Sequence, residues 1–376
     1  AIAAAVAGSA FVSGAVALLI KLPQVAGPAT HAVALQHVAP STAPRHRLLL
    51  IGVDGASWRP IEPLVKAGRM PNLAKLIATG THGNMIAIWP PYWSTTAWSA
   101  IITGLPREQV GVYGDLMAKV PGLPAFQAPL DIDPRLILVS AIEFGLAYRH
   151  LVKASPPERS ALKRPPVWET LEKSGIRTGV IRFNFSYPAP HQASLVISNR
   201  VVADMWNLIG VKNADPNGLV WPDSMRDTLL SSFGDRWTPP TDEVDKILAQ
   251  KDWNPDGSDM KPVKVLRRVL GFDQRTVHAA VEVVKEDPAL EVLIIHLGGL
   301  DNVEHVFWEY RFPEDFKRKP RQKDIEVLGP VIDRYAEWVD KGIGEIIAAY
   351  PEQPDVMVMS DHGMGSFENR PPFKGW

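Results

Sequence analysis

Three short apolar runs that each end in an acidic residue constrain this chain more than any other feature of it. Residues 48–53 read Leu-Leu-Leu-Ile-Gly-Val and deliver Asp54-Gly55. Residues 292–296 pass through Gly298-Gly299 to Asp301, with His305 four positions on, and residues 356–359 lead straight into Ser360-Asp361-His362-Gly363. Short runs of this kind, rich in β-branched residues and bounded by Gly and Asp, read as strands buried on both faces. Such strands belong to a parallel sheet, whose carboxyl ends gather the chemistry. Buried carboxylates without partners are costly. Asp, Asp/His and Asp/His on three strand ends therefore point to a divalent-metal site made of carboxylate oxygen and imidazole nitrogen.

From residue 47 the pattern alternates between strands and helices, the signature of a parallel sheet covered on both faces. Strands are expected at 47–53, 83–88, 178–183, 194–198, 292–296 and 354–359. Helices are expected at 71–79, 94–103, 167–174, 221–233, 242–251, 261–287, 301–310 and 325–350. Residues 115–166, rich in Pro, Leu and Ala, read as an insertion over the site, and 200–270 as a second excursion rich in Trp and Pro. The expected fold is α/β, a three-layer α/β/α sandwich with a mostly parallel central sheet, filling residues 47–376. A chain of 376 residues has room for such a core.

Residues 1–20 carry no charge and are about long enough to cross a hydrocarbon core. Residues 1–22 are expected to form a transmembrane or signal-anchor helix, with a processed signal segment or an Ala-rich soluble helix as alternatives. Residues 23–46, mixed Pro, Ala, Thr and Ser, read as a linker. On that reading residues 1–20 attach the chain to a membrane, with the catalytic domain outside the cytoplasm. The chain starts at Ala1 and ends at Trp376, soon after the Ser360 to Gly363 motif, so a longer parent chain is expected. Forty basic residues against 41 acidic ones give no overall field for a nucleic-acid polymer. The absence of cysteine excludes disulfides, thiolate zinc sites and a cysteine nucleophile.

Ser94 is the candidate nucleophile, because it follows a Pro-rich turn and opens a helix whose free N–H groups and dipole favour an anion. A serine hydroxyl is a weak nucleophile until a base or a metal activates it. Ser94 also fits an ordinary N-cap, and Thr95 and Thr96 compete for the same place. Asp54 could be a turn residue beside Gly55, and Asp301 with His305 a pair on one helical face. Among nearby aromatic residues, Trp98 and Trp308 are candidates for stacking on substrate. His296 and Glu304 stand outside this scheme, His296 as a strand-end residue with a structural partner.

In order along the chain come Asp54-Gly55, the Pro91-x-x-Ser94-x-x-Ala97-Trp98 turn closing on Thr103-Gly104, Asp301-x-x-x-His305-x-x-Trp308, and Ser360-Asp361-His362-Gly363. With these motifs the chain resembles the alkaline phosphatase superfamily, and within it the type I phosphodiesterase/nucleotide pyrophosphatase family, from residue 47 to residue 376. The resemblance implies two divalent ions, zinc first, with Mn, Mg, Fe or Ca as alternatives. One ion would take Asp54, Asp361, His362 and the nucleophile Ser94. The other would take Asp301, His305 and a histidine downstream of the Ser-Asp-His-Gly motif, which residues 370–376 do not supply. Val110-Gly111 stands where relatives often carry His-Gly.

The implied activity is metal-dependent phosphohydrolysis of the phosphodiesterase/pyrophosphatase type through a phosphoseryl intermediate. The implied substrate is a phosphate-ester small molecule, a nucleotide or a lipid. A membrane-anchored headgroup transferase or phosphomutase of the same superfamily, and a catalytically silent binding domain, are the alternatives.

Overall fold

A computed structural model of the chain describes residues 46–87, 94–115, 117–119, 126–127, 153–191, 193–201, 216–227, 241–249 and 261–366. Residues 1–45, with the expected membrane helix and linker, lie outside these. Among the described residues no helix is long and apolar enough to cross a membrane.

In chain order, β1 (Leu48–Val53) leads to helices α1 (Trp58–Lys66), α2 (Pro71–Thr79), α3 (Ser94–Thr103) and the short α4 (Arg107–Val110). Strands β2 (Met117–Lys119), β3 (Phe126–Gln127) and β4 (Lys153–Ser155) form a small antiparallel sheet of their own. Next come α5 (Val167–Lys173), β5 (Thr178–Ile181), β6 (Leu195–Ile197), β7 (Val220–Trp221), α6 (Thr241–Leu248) and α7 (Lys261–Glu286). The described chain closes with β8 (Val292–Leu297), α8 (Gly299–Arg311), α9 (Gln322–Leu328), α10 (Val331–Ala349) and β9 (Asp355–Met359).

The main sheet has the order β7-β6-β5-β8-β1-β9 and is parallel except at the β7 edge. Every residue of β8 is buried, which is why its sequence is an unbroken apolar run with one histidine. Alternate residues of β1 serve opposite faces. Leu49, Ile51 and Val53 join an apolar cluster with α7, α8 and α10, whereas Leu48 and Leu50 pack with Trp98, Ile102 and Trp168 from α3 and α5. Along α10 the buried side chains Val331, Ile332, Tyr335, Ala336, Val339, Ile343 and Ile346 keep helical spacing and hold it against that first face.

Sheet order places the site. Strands β8, β1 and β9 are neighbours, all parallel, with Val53 opposite Leu297 and Gly52 opposite Met359. Their carboxyl ends therefore line one rim about 4.8 Å apart from strand to strand, and Asp54, the Gly298 to Asp301 turn and Ser360 to His362 emerge together.

Several expectations are corrected. Residues 83–87 form no strand, and Met85 and Ile86 are exposed. Where a helix was expected from 221, Trp221 ends the antiparallel edge strand and Asp223–Met225 makes a 3₁₀ turn after Pro222; residues 228–233 lie outside the described ones. The expected helix over 325–350 is two helices, because Pro330 lacks an N–H and its ring blocks continuation. Helix α1 went unread behind Pro60 and Pro63, although Ile61 and Leu64 carried its inward face.

Candidate active site

Asp54 is the hub of the rim. Its backbone N–H extends the β1–β8 ladder to the Leu297 carbonyl at 3.0 Å, and its side chain is buried. Trp98 Nε1 donates to Oδ2 at 3.0 Å, and His296 Nε2 lies 3.1 Å from the same oxygen. Ser94 Oγ lies 3.1 Å from Oδ1 and 2.9 Å from His362 Nε2. Ser94 and Trp98 are four residues apart on one face of α3, so Asp54 holds the first turn of that helix by both of its oxygens. Gly52 makes this possible: a Cβ there would sit 2.8 Å from the Trp98 ring. His362 Nδ1 lies 3.1 Å from the Gly363 carbonyl, which can only accept. Nδ1 is therefore the donor of that contact, and Nε2 faces Ser94 Oγ, whose own proton Asp54 Oδ1 accepts.

The second strand end meets the first through Gly55. Its φ of +76° is left-handed, and a Cβ would lie 2.9 Å from the Asp301 Cα, so only glycine admits the start of α8 this close. The Gly55 N–H points to Asp361 Oδ1 at 3.4 Å. Gly363 does not adopt a left-handed φ; its small size lets the chain pass Ser57, whose Cβ would be 2.9 Å from a Gly363 Cβ.

Helix α8 has no side-chain N-cap of its own. Asp273 on α7 accepts from the Gly299 N–H at 2.9 Å and from the Tyr335 hydroxyl at 3.0 Å through Oδ2, while Arg182 Nη1 lies 3.4 Å from its Oδ1. Arg182 adopts a left-handed φ of 57° to reach Asp273, the Phe272 carbonyl and the Thr276 hydroxyl. This buried group fixes where α8 begins and hence where Asp301 and His305 project. His305 Nε2 is 3.4 Å from Asp301 Oδ1.

The electrostatics is that of a crowded acidic pocket. Burial would raise the pKa of Asp54, but the hydrogen bond and charge of His296, the charge of His362 and the Trp98 N–H hold it below the ordinary 3.8. Asp361, Asp301 and Glu304 go the other way: burial pushes each well above the carboxylate range, and the nearby acids push further. Asp115 is also raised by burial, partly offset by hydrogen bonds from Thr95. Among the described residues Asp115 Oδ1 and both oxygens of Glu304 lack a hydrogen-bond donor, and Asp301 Oδ1 and Asp361 Oδ2 have only a histidine Nε2 at 3.4 and 3.5 Å. Asp54, Asp301 and His362 each bring a ligand atom within 4.8 Å of the other two. Orphaned buried oxygens beside an imidazole suit a hard divalent cation in both charge and donor type.

Of the expected positions, Asp54, Ser94, Asp301, Asp361 and His362 emerge at one rim, His305 lies 3.4 Å from Asp301 with 59% of its side chain exposed, and the two tryptophans do not face open space there. Trp98 is fully buried against Phe183 and His296, with its N–H on Asp54. Trp308 turns to Asp315, Phe312 and Arg59. His296 has the structural partner expected of it, Asp54, whereas two further acids at the rim had no part in the expected site. His296 orients Asp54, and its place at the end of a buried apolar strand was the available signal. Glu304 and Asp115 add buried acid; the i, i+3 spacing from Asp301 pointed to the former, whereas nothing local marked the latter.

A family profile described as type I phosphodiesterase / nucleotide pyrophosphatase matches residues 48–374. Among solved structures, the phosphonoacetate hydrolase of Sinorhizobium meliloti 1021 in complex with phosphonoacetate is similar at 13% identity with a TM-score of 0.43, over 85% of this chain and 57% of that one. Its complex with phosphonoformate gives 14% identity, a TM-score of 0.43 and the same coverage. The chain thus spans 57% of the length of these solved structures. No curated protein matches the sequence.

Proposed function

We infer that this chain, which belongs to the type I phosphodiesterase/nucleotide pyrophosphatase family, hydrolyses phosphate esters with Ser94 as its nucleophile. The observation that carries this reading is the position of Ser94 Oγ, 3.1 Å from Asp54 Oδ1 and 2.9 Å from His362 Nε2, at the start of a helix and beside orphaned carboxylates. Asp54, Asp361 and His362 would hold one divalent ion together with Ser94, and Asp301 with His305 a second. Two such ions, zinc first among the candidates, lower the pKa of a bound hydroxyl and offset phosphoryl charge.

The chain's own residues do the rest. Trp98 and His296 fix Asp54 so that Oδ1 faces Ser94, and the dipole of α3 favours an anion at that point. Ser94 Oγ bonds to phosphorus as its proton is released to solvent, the bond from phosphorus to the ester oxygen breaks and that oxygen takes up a proton from solvent, and water then adds to the phosphorus of the phosphoseryl ester, returning a proton to Ser94 Oγ as the Oγ–P bond breaks. Two in-line displacements retain configuration at phosphorus. A small phosphodiester, nucleotide or lipid phosphate fits this chemistry, with the diester preferred.

The test compares the wild type and Ser94→Ala, loaded with Zn²⁺ or Mn²⁺, on bis-p-nitrophenyl phosphate and p-nitrophenyl phosphate. Loss of a nucleophile costs about three orders of magnitude or more. Undiminished turnover by Ser94→Ala sinks the proposal. The uncharged residues 1–20 favour a second reading, a membrane-attached phosphoryl-headgroup transferase facing out of the cytoplasm. Product analysis with a lipid or sugar acceptor separates the two, since a transferase yields a new ester and a hydrolase only free phosphate or nucleotide.

A further inference from the structure

Arg182, Asp273, Thr276 and Tyr335 come from the end of β5, from α7 and from α10, and all of them are buried. A buried ion pair is no more stabilising than well-packed apolar residues of the same size, and the left-handed φ of 57° at Arg182 adds backbone strain. What the group holds is the start of α8. Asp273 Oδ2 accepts from the Gly299 N–H at 2.9 Å, in place of the side-chain cap that α8 lacks. A Cβ on Gly299 would overlap the Tyr335 hydroxyl and lie 2.5 Å from Asp273 Oδ2. Two residues on, the Asp301 Cα lies 2.9 Å from where a Cβ on Gly55 would be. The first turn of α8 is thus gripped from two sides. In that turn stands Asp301, whose ligand atom lies within 4.8 Å of those of Asp54 and His362.

We propose that Asp273 is a positioning residue for the cation site: acting through the first turn of α8, it sets where the Asp301 carboxylate stands relative to Asp54 and His362, and so how tightly the three hold a divalent ion. The inference rests on reading the rim as a metal centre. Asp273 faces the Gly299 N–H, the Tyr335 hydroxyl and Arg182 Nη1, which belong to three different parts of the chain, so its carboxylate cannot shift without breaking a buried polar contact. Cation ligands work within about 0.2 Å of their proper distance, and a small drift of α8 is therefore enough to lower affinity. Asp340 supplies the control. It caps α2 from α10 in the same manner, accepting from the Leu73 N–H at 2.7 Å and the Asn72 N–H at 3.2 Å, and α2 carries none of the expected site residues.

The experiment titrates the metal-free full chain with Zn²⁺ by calorimetry and by competition with a chromophoric chelator, and records melting temperatures alongside, in wild type, Asp273→Asn, Tyr335→Phe, Asp340→Ala and Asp301→Ala. Asp273→Asn keeps the shape and removes the charge that faces Arg182. It is expected to weaken Zn²⁺ binding about tenfold, whereas Asp340→Ala is expected to melt below wild type and to bind Zn²⁺ as wild type does. Should Asp273→Asn not fold, Tyr335→Phe, which removes one hydroxyl from the group, replaces it and is expected to weaken binding about threefold. Wild-type affinity in folded Asp273→Asn, or in Tyr335→Phe where that variant replaces it, overturns the proposal. So does a loss of affinity in Asp340→Ala as large as that in Asp273→Asn, since both then report lost stability alone. Undiminished binding by Asp301→Ala refutes the metal centre itself, whatever the Asp273 variant does.

Discussion

Without divalent cations this protein should lose stability as the pH rises above about 4.5, the reverse of ordinary acid denaturation. The carboxyls of Asp301, Glu304 and Asp361 have folded-state pKa values held well above the ordinary 3.8 or 4.5, by burial first and neighbouring charges second. A carboxyl whose pKa is raised on folding binds its proton more tightly folded than unfolded. Its penalty is absent below the unfolded pKa and grows as the pH climbs toward the folded one. The window opens at 3.8 for the aspartates and 4.5 for Glu304.

Each proton held only by the folded state contributes a slope of about 1.4 kcal/mol per pH unit. These acids titrate as a coupled set, and a single retained proton already gives a falling profile of about 1.4 kcal/mol per pH unit. Asp54, held below 3.8, contributes with the opposite sign only under that pH. His305, lowered by burial and by the His362 charge, also opposes, but with 59% of its side chain exposed its share is small. Urea denaturation in chelator at pH 4.5, 5.0, 5.5 and 6.0 reads the slope directly. Saturating Zn²⁺ at pH 7 should then restore stability, by about 2.7 kcal/mol at one hundred times Kd. A flat or rising profile in chelator would refute the claim that the acids are buried without partners.

Other substitutions probe the frame of the site. Trp98→Phe removes the 3.0 Å N–H to Asp54; stability should fall by about 1.5–3 kcal/mol in thermal melts, and kcat/KM on a diester by about 10–100-fold. Gly55→Ala forces a Cβ to 2.9 Å from the Asp301 backbone at a φ of +76°, which should cost roughly 2–4 kcal/mol and weaken cation binding in calorimetry. Asp340 on α10 accepts from the Leu73 N–H at 2.7 Å and the Asn72 N–H at 3.2 Å, capping α2 from a distance. Asp340→Ala should therefore cost about 2 kcal/mol in urea denaturation, with hydrolysis of the same diester unchanged.

The rim was legible because buried parallel strands leave an unmistakable trace. A strand covered on both faces, as β8 is, has to be apolar throughout, so an acid beyond its end stands out; Asp361 was readable from its Ser-Asp-His-Gly motif instead, because β9, expected to be buried, is an edge strand that leaves Met357 45% exposed. Local sequence was weaker where a single residue redirected the chain. Pro330 divides α9 from α10, and the apolar run in the strand expected at 83–88 forms no strand over residues 83–87.

By itself, then, the sequence determined which residue types stand at the ends of which strands, since burial and turn chemistry act over a few neighbours. Only the tertiary structure decided that β8, β1 and β9 lie side by side with their carboxyl ends level. That order turns separate acids into one pocket, places His296 and Trp98 on Asp54, and brings Asp115 and Glu304 into the same field. Charges act through space across tens or hundreds of residues of chain, and no local pattern records which of them the sheet will bring together.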